Sequence, residues 1–163
     1  METNQVLLLN NLLREEVEKY KDLFTLDIQK KLNIEVNAKN SNNVLFKKII
    51  ENSKNKNKIL ELLEHCNCVI KTINLEWNDS LKESMSLNVF KYIDIYNEEW
   101  ETSSLRNYFL SRVFVFVVFK KDYNGTRLEN IKVWKMPVQI LESGVKETWV
   151  STKSLIEQGK IVN

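Results

Sequence analysis

The stretch Arg112-Val-Phe-Val-Phe-Val-Val-Phe-Lys-Lys121 decides the fold, because nearly all of its positions are apolar, β-branched or aromatic. Such a run is typical of a strand that is buried on both faces in the middle of a sheet. It leads into Asp122-Tyr-Asn-Gly125, the sharpest turn signal in the sequence, since Asn-Gly tolerates the positive φ angles of tight hairpins. The sequence therefore predicts a central strand whose hairpin partner covers 127–136.

A second strand precedes the central one. From Cys68 to Trp77 the side chains divide into two alternating sets, which indicates a strand. One face carries Val69, Lys71, Ile73, Leu75 and Trp77, and the other carries Cys68, Ile70, Thr72, Asn74 and Glu76. At the far end of the sheet, Pro137 ends the pairing of the hairpin strand or marks its edge.

The first half of the chain is helical in pattern. Apolar residues recur at three- and four-residue spacing in the opening helix, namely Val6, Leu9, Leu13, Val17 and Tyr20. Short helices are predicted over 26–32, 44–52 and 59–65, with Asn- and Lys-rich loops over 37–43 and 52–58. The segment 82–96 is ambiguous, a helix follows the caps in Thr102-Ser-Ser104, and a last helix is expected over 144–158 with Gly159 as its C-cap.

This order of elements suits an α/β fold with a mixed central sheet flanked by helices. The 163 residues are enough for one ordinary domain. We expect a single domain with a helical lead-in over about 1–66 and a sheet core with the final helix over about 67–163. The apolar run 113–119 is too short to span a bilayer and the N-terminus lacks the basic start of a signal peptide, so a cytoplasmic location is expected.

The net charge of +2 gives no global sign of nucleic acid binding, so any such function must depend on local patches. His65, Cys66 and Cys68 offer three candidate metal ligands on one short segment. Without a second cluster they fall short of a zinc site, and we interpret them as packing residues with reduced thiols. No metal site is predicted.

Several segments together resemble one family. They are Val69-Ile-Lys-Thr72, Lys82-Glu-Ser-Met-Ser86, Asn97-Glu-Glu-Trp-Glu101, Phe114 to Phe119 and Lys132-Val-Trp-Lys-Met-Pro137. Their order and spacing are similar to those of the MutH/Sau3AI family, over about Cys68 to Gly159, and most similar to the C-terminal domain of the Sau3AI-type restriction endonucleases. The resemblance implies a restriction-endonuclease-like fold.

Catalytic members of that family carry an Asp, a Glu seven residues later and a Lys two residues after the Glu. The two carboxylates hold Mg²⁺ and the lysine stabilises charge at the phosphate. Carried onto this chain, the three positions fall on Leu62, Val69 and Lys71. A second lysine of active members falls on Phe109, and the acid that the family carries on the preceding helix corresponds to Glu51. The resemblance therefore implies a decayed nuclease centre with Lys71 as its relic.

The resemblance also implies a role. In Sau3AI-type enzymes the C-terminal domain binds DNA as an effector beside a catalytic domain of the same enzyme, which alone needs Mg²⁺. We therefore expect a non-catalytic domain that binds double-stranded DNA at GATC, as a fragment of a larger protein, with oligomerisation left open. Two alternatives remain: an active nuclease with relocated acids at Glu51, Glu64 or Glu83 beside Lys71, and a scaffold or dimerisation domain without DNA contact.

The candidate DNA-binding residues are all basic. They are Lys71, Lys82, Arg106, Arg112, Lys120, Lys121 and Arg127. Arg106 and Arg127 are the better candidates for reading bases, because arginine makes the commonest specific contact to guanine. Each of the seven is equally compatible with a solvated surface charge. Glu83 and Ser84 fit a structural role at least as well as contact with DNA. The four tryptophans, Trp77, Trp100, Trp134 and Trp149, fit packing better than base stacking.

Overall fold

The computed structural model describes residues 2–36, 41–82 and 90–161. The helices are α1 (Glu2–Glu18), α2 (Thr25–Leu32), α3 (Ser41–Glu51), α4 (Lys56–His65), α5 (Tyr92–Asn97), α6 (Ser104–Leu110), α7 (Val138–Ile140) and α8 (Lys146–Glu157). A 3₁₀ turn covers Trp100–Thr102 and a π-helical turn covers Leu141–Val145. The strands are β1 (Cys68–Leu75), β2 (Val113–Asp122) and β3 (Gly125–Trp134).

The chain forms two compact units. The sheet unit is drawn from Met1–Met85 and Val113–Trp134, and the helical unit is drawn from Ser86–Arg112 and Lys135–Asn163. The sheet unit therefore holds α1 to α4 and all three strands, and the helical unit holds α5 to α8. The single-domain expectation stays a prediction, and each unit is described in turn.

The three-stranded sheet has the order β1-β2-β3. β1 runs parallel to β2, from the pair Cys68 and Val113 to the pair Leu75 and Lys120, and β2 runs antiparallel to β3. Most of β2 is buried, because it lies between the other two strands and its apolar side chains fill both faces. The expected mixed α/β sheet flanked by helices, with a central strand at 112–121, is confirmed.

One face of the sheet packs on the lead-in helices. Apolar residues of α1 to α4 form a single core with β2 and β3, and it includes Leu9, Leu13, Val17, Ile28, Leu45, Phe46, Ile49, Ile59, Leu62, Val115, Val117, Phe119, Leu128 and Ile131. The connection between α1 and α2 also bonds to β3, through Asp22 N to Leu128 O at 2.8 Å and Leu128 N to Leu23 O at 3.1 Å. The helical lead-in is therefore part of the sheet unit's core.

Two predicted loops in the lead-in are shorter than expected. Residues 37–40 lie outside the described residues, but α3 already begins at Ser41, where the Asn42 amide donates to the Asn74 side-chain carbonyl at 2.8 Å. The predicted end of the loop over 52–58 is also wrong. α4 begins at Lys56, and the Ile59 N–H bonds to Asn55 O at 2.9 Å. Tertiary burial of the flanking apolar residues extends both helices over polar sequence.

The hairpin forms where the turn signal predicts it, with different central residues. Asp122 pairs with Gly125, so Tyr123 and Asn124 occupy the turn and Gly125 opens β3 at φ 144°. The Asp122 carboxylate accepts the Asn124 N–H at 2.7 Å, which stabilises the turn through a side chain. β3 accordingly begins earlier than predicted and ends at Trp134.

The helical unit packs around two tryptophans. Trp100 and Trp149 are both buried and their ring centroids lie 5.8 Å apart. Ser103 caps α6 as expected, with its hydroxyl accepting the Arg106 N–H at 3.3 Å. The final helical region starts at Val138 and not at 144: Pro137 precedes it with extended backbone, and the Pro137 carbonyl accepts the Leu141 N–H at 3.0 Å.

The structure also tests the expected C-cap at Gly159 and the ambiguous segment 82–96. Gly159 has a φ of 66°, which confirms it as the left-handed residue after the last helix. Of the ambiguous segment, 83–89 lies outside the described residues and Tyr92–Asn97 is helical. Among the described residues, none of the helices is both long and apolar enough to cross a membrane.

Candidate nucleic-acid interface

The second face of the sheet carries Lys71, the residue that the resemblance matches to the family's catalytic lysine. Lys71 of β1 pairs in register with Phe116 of β2, and Phe116 pairs with Lys132 of β3. Paired residues project to the same side of a sheet, so the three side chains form one row. Lys71 is half-buried and Lys132 is exposed. The row therefore places one ammonium group on each side of an aromatic ring. The two lysines lie on strands whose backbones are two strand spacings apart, roughly 10 Å.

Lys132 is a residue that the sequence interpretation missed. It stands in the Lys132-Val-Trp-Lys-Met-Pro137 segment, but only the register of β3 shows that it shares a row with Lys71. On the same face the rings of Phe114, Phe116 and Trp134 pack together, with ring centroids 5.9 to 6.0 Å apart. The lysine row therefore borders a cluster of packed aromatic rings.

The positions of the expected carboxylates are apolar for two different reasons. Leu62 lies on α4 and is 2% exposed within the core beneath the sheet. Val69 lies on β1, half-buried, and alternation places it on the same face as Lys71. Mg²⁺ takes oxygen ligands, and neither side chain has an oxygen. The residues present at these positions do not fit a magnesium ion.

The three acids considered as replacements differ in their surroundings. Glu51 is exposed at the end of α3, where its carboxylate pairs with Lys48 at 2.7 Å. Glu64 is exposed on α4, and Glu83 lies outside the described residues. Within 2–36, 41–82 and 90–161, no group of three or more His, Cys, Asp or Glu side chains is placed to hold a metal ion.

The cysteine segment is built for packing. Cys66 is buried, and Cys68 is half-buried against the core of the sheet unit. Burial, with a smaller contribution from Cys66, raises the pKa of the Cys68 thiol to about 12. A thiol with that pKa stays protonated at neutral pH and is a poor metal ligand. The interpretation of these two cysteines as packing residues is confirmed, and their reduced state stays a prediction.

The basic residues at the hairpin end of the sheet are matched by acids. Lys120 pairs with Asp79, and Lys121 lies 3.8 Å from Glu76. Arg127 lies 3.2 Å from Glu129 and also close to Asp122, at 4.0 Å. Lys82, which is exposed, lies in the turn that follows β1. The hairpin end is thus a surface of mixed charge, in which a phosphate would have to displace carboxylates from Lys120 and Arg127.

The same end of the sheet exposes two aromatic rings. Trp77 is 61% exposed and Tyr123 is 92% exposed, and their rings stack at 6.4 Å between centroids. The prediction of packing is confirmed for Trp100 and Trp149, which are buried, but Trp77 projects into solvent apart from this contact. β1 ends at Leu75, so Trp77 lies in the following turn and not on the half-buried strand.

Arg106 is held inside the helical unit. Its Nε donates to one oxygen of Glu142 at 2.7 Å, and the Trp100 indole donates to the other oxygen at 2.8 Å. These two hydrogen bonds, the one from Trp100 being the stronger influence, lower the pKa of the Glu142 carboxyl. The structure therefore gives Arg106 a structural partner, and base reading by Arg106 stays a prediction.

Arg112 lines an open groove within the helical unit. The groove has a volume of about 730 Å³ and is bordered by Phe90, Asp94, Ser104, Asn107, Tyr108, Leu110, Ser111 and Arg112. The guanidinium lies over the Tyr108 ring, 4.9 Å from its centroid. Phe109, the position of the family's second lysine, is buried on α6. Arg106 and Arg112 thus belong to the helical unit, and the other five candidates belong to the sheet unit.

The sequence matches known proteins over its middle part. Residues 48–143 match the family described as MutH, the DNA mismatch repair enzyme. Over 107 residues the chain is 34% identical to the type II restriction enzyme Sau3AI of Staphylococcus aureus, a match that covers 61% of this chain and 22% of that protein. The chain therefore corresponds to about a fifth of the length of this relative.

Proposed function

The chain belongs to the MutH family, and from that premise we propose that it binds double-stranded DNA without cleaving it. The observation that carries this proposal is the β1 strand, which keeps Lys71 and has Val69 where the resemblance implies a glutamate. A lysine can bind a phosphate without a metal ion. Cleavage by the family's reaction needs carboxylates that the strand does not supply.

The lysine row supports a phosphate contact. Lys71 and Lys132 lie on one face of the sheet with Phe116 between them, so two cations can bind phosphates of one DNA backbone. Such contacts position a protein on DNA and are independent of base sequence. Selectivity for GATC, which the resemblance implies, would then come from other residues, among which Arg127 is the candidate on the sheet unit.

The biological role that we propose is that of an effector. The relative with 34% identity is a type II restriction enzyme that is much longer than the match. A domain that occupies one GATC site can shift a catalytic domain of the same enzyme towards cleavage at another site, provided that the two binding events are coupled. On this proposal Mg²⁺ serves the catalytic part of the enzyme, and this chain binds none.

An electrophoretic shift assay tests the proposal. We expect GATC duplexes to bind more tightly than scrambled duplexes at two salt concentrations, and GATC plasmid to remain uncut with Mg²⁺ at high protein concentration. Lys132→Ala should weaken binding to both duplexes and reduce the slope of log affinity against log salt by about 0.9, as expected for one lost phosphate contact. Lys30→Ala, which removes an exposed lysine on α2, is the matched control.

Three results would contradict parts of this proposal. Equal affinity for GATC and scrambled duplexes removes the sequence-reading part. Cleavage that is abolished by Lys71→Ala favours a nuclease with relocated acids. The absence of any salt-dependent affinity favours a scaffold without DNA contact.

A further inference from the structure

The turn between α3 and α4 concentrates positive charge. From Lys47 to Lys58 the chain has five lysines and one acid, Glu51, which gives a net charge of +4. The whole chain has a net charge of +2, so the other residues together carry −2. This twelve-residue segment therefore has a strongly basic character that the overall composition conceals.

The structure brings these charges together on the surface. Lys47, Lys54 and Lys56 are exposed, and Lys48 pairs with Glu51 at 2.7 Å. The hydrogen bond from Lys48, and then the charges of Lys48, Lys56 and Lys47, lower the pKa of the Glu51 carboxyl. Three of these lysines, Lys47, Lys48 and Lys56, therefore act on one carboxylate. Lys54 lies between them in the chain, and Lys58 follows on α4, where it pairs with Glu61 at 3.1 Å.

The stability of the fold does not explain this arrangement. Lys56 and Lys58 lie in the first turn of α4, where the helix dipole disfavours positive charge and no acidic residue is present. Lys54 lies in the connecting turn, where neighbouring lysines repel it. Like charges held close together at a cost to the helix indicate a surface that binds an anion.

We propose that Lys47, Lys48, Lys54, Lys56 and Lys58, here called the α3–α4 lysine surface, bind the phosphate backbone of double-stranded DNA without reading its sequence. This inference rests on the proposed function and adds a second contact surface on the sheet unit. Lysine is a flexible point charge suited to phosphates, and the segment has no arginine for guanine contacts. It also has no aromatic residue on which single-stranded bases would stack.

Salt dependence provides the test. The variant Lys47→Gln/Lys54→Gln/Lys56→Gln removes three exposed charges, and Lys21→Gln/Lys30→Gln/Lys160→Gln removes three exposed lysines elsewhere as the matched control. Affinity for GATC and scrambled duplexes is measured by fluorescence anisotropy. We expect the slope of log affinity against log salt to fall by about 2.7 for the first variant only. Between about 50 and 200 mM salt, the unaltered protein should then lose roughly 40-fold more affinity than the variant.

A second variant changes the charge in the opposite direction. Glu51→Gln frees Lys48 and removes the one acid of the segment, so it should tighten binding to both duplexes. Glu18→Gln, on α1, removes an exposed acid that also pairs with a lysine three residues away, and should leave affinity unchanged. Circular dichroism checks that all variants remain folded.

The possible results separate the two proposals. Unchanged slopes in the triple variant, with DNA binding by the unaltered protein, overturn the α3–α4 lysine surface and leave the proposed function standing. No DNA binding by the unaltered protein overturns both. A loss that is confined to a structured RNA competitor, with duplex DNA binding intact, also overturns the inference because it identifies another partner.

Discussion

At the scale of single residues, the two positions where the resemblance implies a carboxylate differ in how much stability a carboxylate would cost there. Leu62 is part of the core beneath the sheet, whereas Val69 is half-buried on the face that carries Lys71. A carboxylate at position 69 would be half-buried, on the face that carries Lys71. At position 62 it would be buried among apolar side chains, where an unpaired charge is very costly. The packing of α4 therefore opposes a carboxylate at position 62 and not at position 69.

Leu62→Asp tests this difference. We expect it to lower the free energy of unfolding by roughly 4 kcal/mol or more, since it removes a buried leucine and buries a polar group. Leu60→Asp is the matched control, because Leu60 lies on the same helix and is 46% exposed. Urea denaturation followed by circular dichroism measures both. Similar losses for the two variants would show that position 62 tolerates a carboxylate.

Residue chemistry alone could identify Lys71 but not its companion. The alternation of β1 predicts that Lys71 and Val69 share a face, and the structure agrees. Lys132 joins them through the register of three strands, which a sequence pattern does not specify across a parallel pair. Likewise, Lys120 pairs with Asp79 of the turn after β1, and Arg127 lies near Asp122 of β2 as well as Glu129 of its own strand. A list of basic residues therefore overstates how basic the hairpin end is.

At the scale of elements, the sequence predicts the hairpin turn correctly but places the starts of α3 and α4 three residues too late. Asp122-Tyr-Asn-Gly125 specified a hairpin because side-chain and glycine preferences act locally. The starts of α3 and α4 depend instead on burial of Leu45, Phe46 and Ile59 against other elements. Polar residues ahead of these anchors look like loop in the sequence, although they complete the first helical turn.

Two glycine substitutions test how strongly the backbone conformation depends on glycine, one in the hairpin and one in a helical segment. Gly125 has a φ of 144°, so Gly125→Ala should destabilise the protein by about 1 to 3 kcal/mol through backbone strain, although the added Cβ would meet Phe24 only at 3.5 Å. Gly144 lies in helical backbone with nothing within 4 Å of an added Cβ, and Gly144→Ala should stabilise by about 0.5 to 1 kcal/mol.

Thermal melts of the two glycine variants give the comparison. Opposite shifts of the melting temperature are expected, downward for Gly125→Ala and upward for Gly144→Ala. A neutral Gly125→Ala would mean that the hairpin relaxes to a backbone that alanine can adopt.

At the scale of the whole molecule, charge is distributed unevenly between local networks. The segment 47–58, which holds the α3–α4 lysine surface, carries a net charge of +4, whereas the rest of the chain carries −2. The helical unit holds one of its acids, Glu142, between Trp100 and Arg106. The excess of lysines is visible in the sequence, whereas the pairing of Glu142 with Arg106 depends on which charges the fold places next to each other.

These networks predict a dependence of stability on pH. Glu51, Glu101 and Glu142 all have pKa values lowered from the ordinary 4.5 by hydrogen bonds and nearby cations. In the unfolded chain these groups bind protons at higher pH than in the folded protein. Their contribution is therefore complete above pH 4.5 and is lost as pH falls through the lowered folded values.

Glu142→Gln isolates one network. The amide keeps an oxygen for one donor but loses the charge that attracts Arg106, so the melting temperature should fall near pH 7. The difference from the unaltered protein should shrink as pH falls below 4.5 and through the lowered pKa of Glu142, because protonation of the carboxyl removes that charge. Glu147→Gln, at an exposed glutamate of α8, serves as the control across the same pH series. A difference that stays constant while the Glu142 carboxyl becomes protonated would show that Glu142 acts through shape and not through charge.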